Sequence, residues 1–410
     1  MRKFALLLAP FEIWVVGLCA AASFISQRLL PLAVGSAVAF GLIRWVACGF
    51  FSLRTPADWP IALLILLLPV TLWATATPDI TLPQVLRLLT GIGMYYAIIN
   101  WTTSASRMRW LVRGIWLAGL CLALYAFISV QWISTKLAFI PPSIYTHFRI
   151  LVADTANPNV MAGNLVILLP CVMGVLLFCG RRLRWIELGL SGLTISVVTI
   201  VLILTQSRGA ILAFGEICIL LVVLRWKRGW LLLAGAAVLV GVSVIRLGPL
   251  SILNVIFSNT TFGGIDGRLE VWSRAIYIIQ DFPLTGVGMG SYGRVADVFY
   301  PFFLYAANPP PHAHNLFLQI AVDLGIIGLV AWLAIWMLVT SAAWKLYRHG
   351  LAVHDNWASG LGAGLLCSQI ALVSYGMLDA VTWGMVKPAP LVWVMWGLAV
   401  AGWYVYGRKP

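Results

Sequence analysis

The chain is 410 residues long, 61% hydrophobic and 10% charged, with a mean hydropathy of +0.96. Soluble domains carry about 25% charged and about 45–50% apolar residues, so the composition excludes a cytosolic globular enzyme, a disordered chain and a secreted disulfide scaffold. It fits a polytopic helical membrane protein, and the formal charge of +14 then reads as a cytoplasmic-loop bias rather than a nucleic-acid footprint.

A span needs about 20 apolar residues. In chain order, apolar runs fall at about 4–24, 30–52, 60–76, 82–100, 111–131, 160–179, 186–205, 209–225, 230–246, 315–343, 358–378 and 390–406, which predicts twelve transmembrane helices in an all-α fold. The first run follows Met1-Arg2-Lys3 and contains Glu12, so a retained helix is expected rather than a cleaved signal peptide. The break between the seventh and eighth runs is only Gln206-Ser207-Arg208. Cys19, Cys48, Cys121, Cys171, Cys179, Cys218 and Cys367 lie in or at the ends of these runs without CxxC or Cys/His spacing. They read as small buried hydrophobes.

With the N-terminus placed in the cytoplasm, the basic clusters fall on the inner side: Arg2-Lys3, Arg107/Arg109/Arg113, Arg181/Arg182/Arg184, Arg225/Lys227/Arg228, Lys345/Arg348 and Arg408-Lys409. A register shifted by one span would reverse this, against the positive-inside rule. Both termini are therefore expected inside. The two long outer segments are about 132–159 and 247–314. The chain divides into helices 1–9 (residues 1–246), an outer loop (247–314) and helices 10–12 (315–410).

The loop opens on turn-rich sequence (Asn259-Thr260-Thr261, Gly263-Gly264). From Asp266, a plausible N-cap, Leu269, Trp272, Ile276 and Ile279 recur at helical spacing. This predicts an amphipathic helix lying at the interface and ended by Pro283, with Arg268 and Trp272 on one face. The glycines at 286, 288 and 290 could turn amides toward an anion, although the pattern reads first as an ordinary tight turn. The loop closes on His312-Ala313-His314-Asn315. A histidine at a span entrance suits proton transfer. A metal site would need carboxylate or Cys partners, and the nearest acids in sequence are Asp297 and Asp323. Arg208 sits in a turn that barely leaves the membrane, where its charge needs a ligand, a partner or lipid headgroups. Arg208 and Arg268 offer forked donors suited to phosphate oxygens.

These stretches resemble the O-antigen ligase and polymerase superfamily. The matching motifs are Gly267-Arg268-x-x-x-Trp272-x-x-Ala275, Phe282-Pro283-Leu284-x-Gly286-x-Gly288-x-Gly290, His312-x-His314-Asn315-x-x-Leu318-Gln319 and Asp323-Leu324-Gly325-x-x-Gly328-Leu329, with Gln206-Ser207-Arg208-Gly209 upstream. The resemblance implies a GT-C-type glycosyltransferase in the bacterial inner membrane with a periplasmic active site. Its donor would be a glycan on undecaprenyl diphosphate, moved without metal or other cofactor to a lipid A-core sugar (ligase) or to another lipid-linked repeat (polymerase). Here the ligase is the favoured acceptor reading. His314 would be the base, and Arg208 and Arg268 would grip the diphosphate. His312, Asn315, Trp272, Gln206, Ser207, Gly286 and Gly288 would bind substrate. With no carboxylate nucleophile in the motifs, inversion is expected. The rival class is a flippase for the same lipid-linked sugars. Transporters gather polar groups near mid-membrane, whereas the intramembrane ionisable residues here are few: Glu12, Arg44, Arg87 and Glu216.

Overall fold

The computed structural model describes residues 2–133, 140–152, 155–257, 264–304, 309–383 and 390–407. Lys136, Lys387, Arg408, Lys409, Asn259, Thr260, Thr261 and Gly263 lie outside them. Sixteen α-helices follow in order: α1 Arg2–Leu8, α2 Glu12–Ile25, α3 Leu30–Cys48, α4 Asp58–Ala74, α5 Pro78–Trp101, α6 Ala105–Ser129, α7 Pro158–Cys179, α8 Trp185–Leu204, α9 Arg208–Arg225, α10 Trp230–Leu247, α11 Pro249–Phe257, α12 Gly264–Asp281, α13 Tyr292–Phe299, α14 Leu316–Ala352, α15 Asn356–Gly376 and α16 Leu391–Gly407. No β-strand occurs among the described residues.

Every expected apolar run falls on a helix, but not every one has the length and composition of a span. Among the described residues nine helical stretches are long and apolar enough to cross a membrane. Helices α4 and α16 are apolar but shorter, and α9 carries Arg208, Glu216 and Arg225 within its 18 residues. The first stretch holds α1 and α2 joined by a 3₁₀ turn at Ala9–Phe11, where Pro10 denies the helix a donor. The thin break between the seventh and eighth runs is a true helix end, because α8 stops at Leu204 and α9 starts at Arg208.

The core is built around α15, which packs on α7 and α14. Small residues let the backbones meet. A methyl on Gly174 would come within 2.4 Å of Gly360 O, and one on Gly364 within 2.5 Å of Pro170 O. On the other face of α15, a methyl on Gly362 would strike Tyr347 N at 2.4 Å. Such small-residue seams are the membrane solution to close helix packing. Polar caps start the core helices: Asn157 on α7, Asn315 on α14 and Asp355 on α15 each accept amide bonds of the first turn. Arg44 is paired with Glu12 and with Phe51 O, while Arg87 donates to Gln84 and Gln27.

Contacts sort the connecting segments onto two ends of the bundle. At one end Arg2 reaches Ala47 O (3.2 Å), Tyr404 reaches Arg54 O (2.8 Å), Arg113 pairs with Glu187 (2.5 Å) and Arg109 lies over Trp357 (5.4 Å). At the other end Thr77 meets Ser291 (2.7 Å), Tyr375 meets Asn159 O (2.6 Å) and Gln206 meets Tyr145 (2.7 Å). The basic clusters and the histidine loop therefore occupy opposite ends.

Helix α14 is 37 residues long and broken at Gly325, whose φ of 72° is left-handed. In an unbroken helix the Ile326 amide would bond Val322 O. Instead it bonds Pro283 O (2.7 Å), and Val322 O accepts the Val287 amide (2.8 Å). The glycine turn 286–290 is thus stitched into the break.

Candidate active site

The turn between α8 and α9 is tight because Gln206 takes a left-handed φ of 53°. That conformation is uncommon for a non-glycine residue. The Gln206 side chain donates to Tyr145 Oη (2.7 Å), and Tyr145 donates to Leu204 O (2.9 Å), which holds the turn from outside. Ser207 is buried and lies within hydrogen-bonding reach of Tyr375. Arg208 is consequently the first residue of α9, at the end of a helix whose dipole already favours anions.

Helix α12 starts at Gly264, so Asp266 lies in its first turn and not at its cap. The helix docks through Val271, Ala275 and Ile278, which are buried with Val287, Tyr292, Val295 and Ala313 in a small separate core. The expected stripe is split accordingly. Trp272 and Ile279 are half-buried against that core, whereas Leu269 and Ile276 face away. A helix with apolar residues on two faces leaves the buried face undecided until its neighbours are placed. Docking sets Arg268 so that its Nη1 donates to His314 O (3.2 Å) and Leu378 O (3.0 Å).

His314 is 5% exposed and, like Gln206, left-handed, with φ 48°. Asn315 follows as the cap of α14, and its Nδ2 donates to Met377 O (3.2 Å). The last turn of α15 and the segment after it are the common neighbour of all these groups. Tyr375 meets Asn159 and Ser207, Met377 O accepts from Asn315, and Leu378 O accepts from Arg268. A methyl on Gly209 would come within 3.1 Å of Leu378, which brings the Arg208 turn to the same point.

Asp379 completes the cluster. Its Oδ1 lies 3.6 Å from His314 Nδ1 and 3.8 Å from His312 Nε2, and the two imidazoles sit 4.0 Å apart. Sequence reading looked to Asp297 and Asp323 as the neighbouring acids. The partner is instead an aspartate far along the chain, and only its place in the last outer turn could have hinted at it. Burial, then the opposing Arg268 charge, pushes the His314 imidazole below its ordinary range, although Asp379 pulls the other way. His312 is pushed down to about 3 by burial and the adjacent His314. Burial alone would raise the Asp379 carboxyl, but His314, His312 and Arg268 together hold it low.

Two imidazoles and a carboxylate with donor atoms within 4.8 Å of one another could in principle ligate an ion. One hydrogen bond speaks against ligation by His312. His312 Nδ1 accepts the His314 amide (3.2 Å), so its proton belongs on Nε2, the nitrogen facing Asp379. A metal-binding imidazole has the reverse arrangement, with the far nitrogen donating. For His314, a proton on Nδ1 faces the carboxylate and leaves Nε2 as the basic lone pair.

The glycine turn has its own tasks. The amides of Gly286, Val287, Met289 and Gly290 bond Phe282 O, Val322 O, Thr71 Oγ1 and Asp323 Oδ1. Side chains at Gly286 and Gly288 would strike Asp323 and Thr75. The turn is thus packed against the break of α14 at Gly286 and against Thr75, just past α4, at Gly288.

No curated protein matches the chain. Residues 193–333 match the family model described as O-antigen ligase, and Arg208, Arg268, His312 and His314 all fall inside that stretch while Asp379 lies beyond it. That stretch carries an O-antigen ligase domain, which supports the superfamily resemblance seen in the motifs.

Proposed function

We propose that the protein is a metal-independent, inverting O-antigen ligase that moves a glycan from undecaprenyl diphosphate to a sugar hydroxyl of the lipid A core. The observation that carries this reading is the His314–Asp379 contact beside Arg268, with the Arg208 turn packed on the same segment. The family domain supports glycan transfer of the ligase or polymerase type.

The acceptor hydroxyl attacks the anomeric carbon, and His314 Nε2 takes its proton. Asp379 fixes the tautomer and steadies the imidazolium that forms. Such a base is worth about 10²–10⁴-fold. The bond from the anomeric carbon to the diphosphate oxygen breaks, and its electron pair leaves with the diphosphate. Arg208 and Arg268 neutralise the growing charge, each worth roughly 3–4 kcal/mol of barrier by analogy with oxyanion donors. His312, Asn315, Gln206 and Ser207 frame the site, and Trp272 braces the helix that delivers Arg268. Gly286 and Gly288, in the turn packed on α14 and Thr75, join the substrate-binding set. The basic end of the bundle faces the cytoplasm by the positive-inside rule, which puts both termini inside and the histidines in the periplasm.

The test is transfer by the purified protein from lipid-linked donor, with and without lipid A-core acceptor. Core-dependent transfer supports the ligase. Growth of lipid-linked glycan without core would make it a polymerase, and donor movement across vesicles without transfer would make it a flippase.

A further inference from the structure

Asp323 sits roughly two turns below His314 on α14 and is fully buried. Its Oδ1 accepts the Gly290 amide (3.1 Å) and Gln319 Nε2 (2.8 Å), and its Oδ2 accepts Trp383 Nε1 (2.9 Å). The other end of the Gln319 amide, Oε1, accepts the backbone N–H of Ala313 at 2.8 Å. Ala313 is the residue between the two histidines. Trp383 lies in the segment between α15 and α16 that also holds Asp379. One carboxylate is therefore wired through Gln319 to the histidine strand and through Trp383 to the aspartate turn.

We propose that Asp323 is a positioning residue that sets the register between the imidazole of His314 and the carboxylate of Asp379. The inference rests on reading those two groups as the base pair of the reaction. Three N–H donors converge on two oxygens, which only a carboxylate can serve. An amide would turn its own NH₂ toward one of the donors, and an aliphatic side chain would strand all three. The break at Gly325 adds to the brace, because it frees Asp323 O to accept the Thr71 hydroxyl (3.1 Å) and ties α4 to the same point. Side-chain misplacement of about 1 Å is enough to cost catalysis on the order of a hundredfold, so a brace of this kind acts on turnover more than on binding.

The experiment is a double-mutant cycle on the purified full-length protein, read as transfer from lipid-linked donor. Asp323→Asn and Trp383→Phe should each lower kcat on the order of tenfold to a hundredfold, with the donor KM held within about twofold because ground-state binding is untouched. Asp323→Asn combined with Asp379→Asn should turn over no more slowly than Asp379→Asn alone, since the brace acts through a group already disabled. Losses that multiply would overturn the brace, as would wild-type kcat in either single variant. Trp383→Phe removes one bond only and carries the cycle if Asp323→Asn does not fold. Wild-type turnover of Asp379→Asn would overturn the base pair itself and the brace with it. Slow Asp379→Asn with multiplying losses would overturn the brace alone.

Discussion

His314 and Asp379 reach each other across the tops of two helices: one imidazole precedes α14, one carboxylate follows α15, and Nδ1 lies 3.6 Å from Oδ1. The contact sets a carboxylate beside a buried imidazole, and the proposed base role of His314 rests on that pairing. Asp379→Asn is expected to cut kcat by about 10²–10⁴-fold, comparable with His314→Ala, with normal membrane insertion. Single-turnover transfer measured on both variants checks this, and near-wild-type turnover in either one counts against the pairing.

The pH dependence follows from the same burial. An imidazole held below its ordinary range stays neutral, and hence basic, into mildly acidic solution. The acid limb of kcat/KM should therefore fall below pH about 6.5, the unperturbed histidine value. Stability carries the matching sign. The unfolded chain binds protons that folded His312 and His314 refuse, so their contribution is complete above pH about 6.5. It is lost as pH falls toward the folded values, about 3 for His312. Thermal unfolding in detergent between pH 7.5 and 5 should show falling stability, with a flatter slope in His312→Asn.

Arg268→Lys should not substitute for arginine. Nη1 bridges His314 O and Leu378 O, and an ammonium cannot reproduce the planar fork that suits a diphosphate. A loss of about 10²–10³ in kcat is expected, the scale for losing one preorganised donor. Equal activity in the lysine variant would show that only point charge matters there.

Gly325→Ala tests the break in α14. The residue is left-handed, and an added methyl would come within 2.4 Å of Leu284 O. Strain of this kind costs roughly 1–3 kcal/mol, so the melting temperature should drop. Gly235→Ala, in the exposed helix α10 with nothing within 4 Å of the new methyl, should leave it unchanged or raised.

Transfer should persist at full rate in excess EDTA. The His312 tautomer fixed by the His314 amide is the wrong one for ligation. Restoration of a chelated, inactive sample by added zinc or magnesium would contradict that assignment.

Several features could be read along the chain because they depend on local pattern. Apolar run length fixed where helices form. Pro283 marked the end of α12, and the polar break Gln206-Ser207-Arg208 marked the start of α9. Three motif residues, Arg208, Arg268 and His314, pointed to one end of the bundle before any helix was placed. The buried face of α12 was not legible, since Leu269 and Ile276 are as apolar as Val271 and Ile278, and only docking chose between them. Asp379 was invisible for a different reason. An acid becomes a partner through distance in space, and here that distance is set by the glycine seams joining α15 to α7 and α14. Composition and periodicity thus pointed to a helical membrane protein with Arg208, Arg268 and the two histidines at one end and the basic clusters at the other. The packed helices alone decided which carboxylate meets which imidazole, because side-chain geometry at helix ends is a consequence of how whole helices cross.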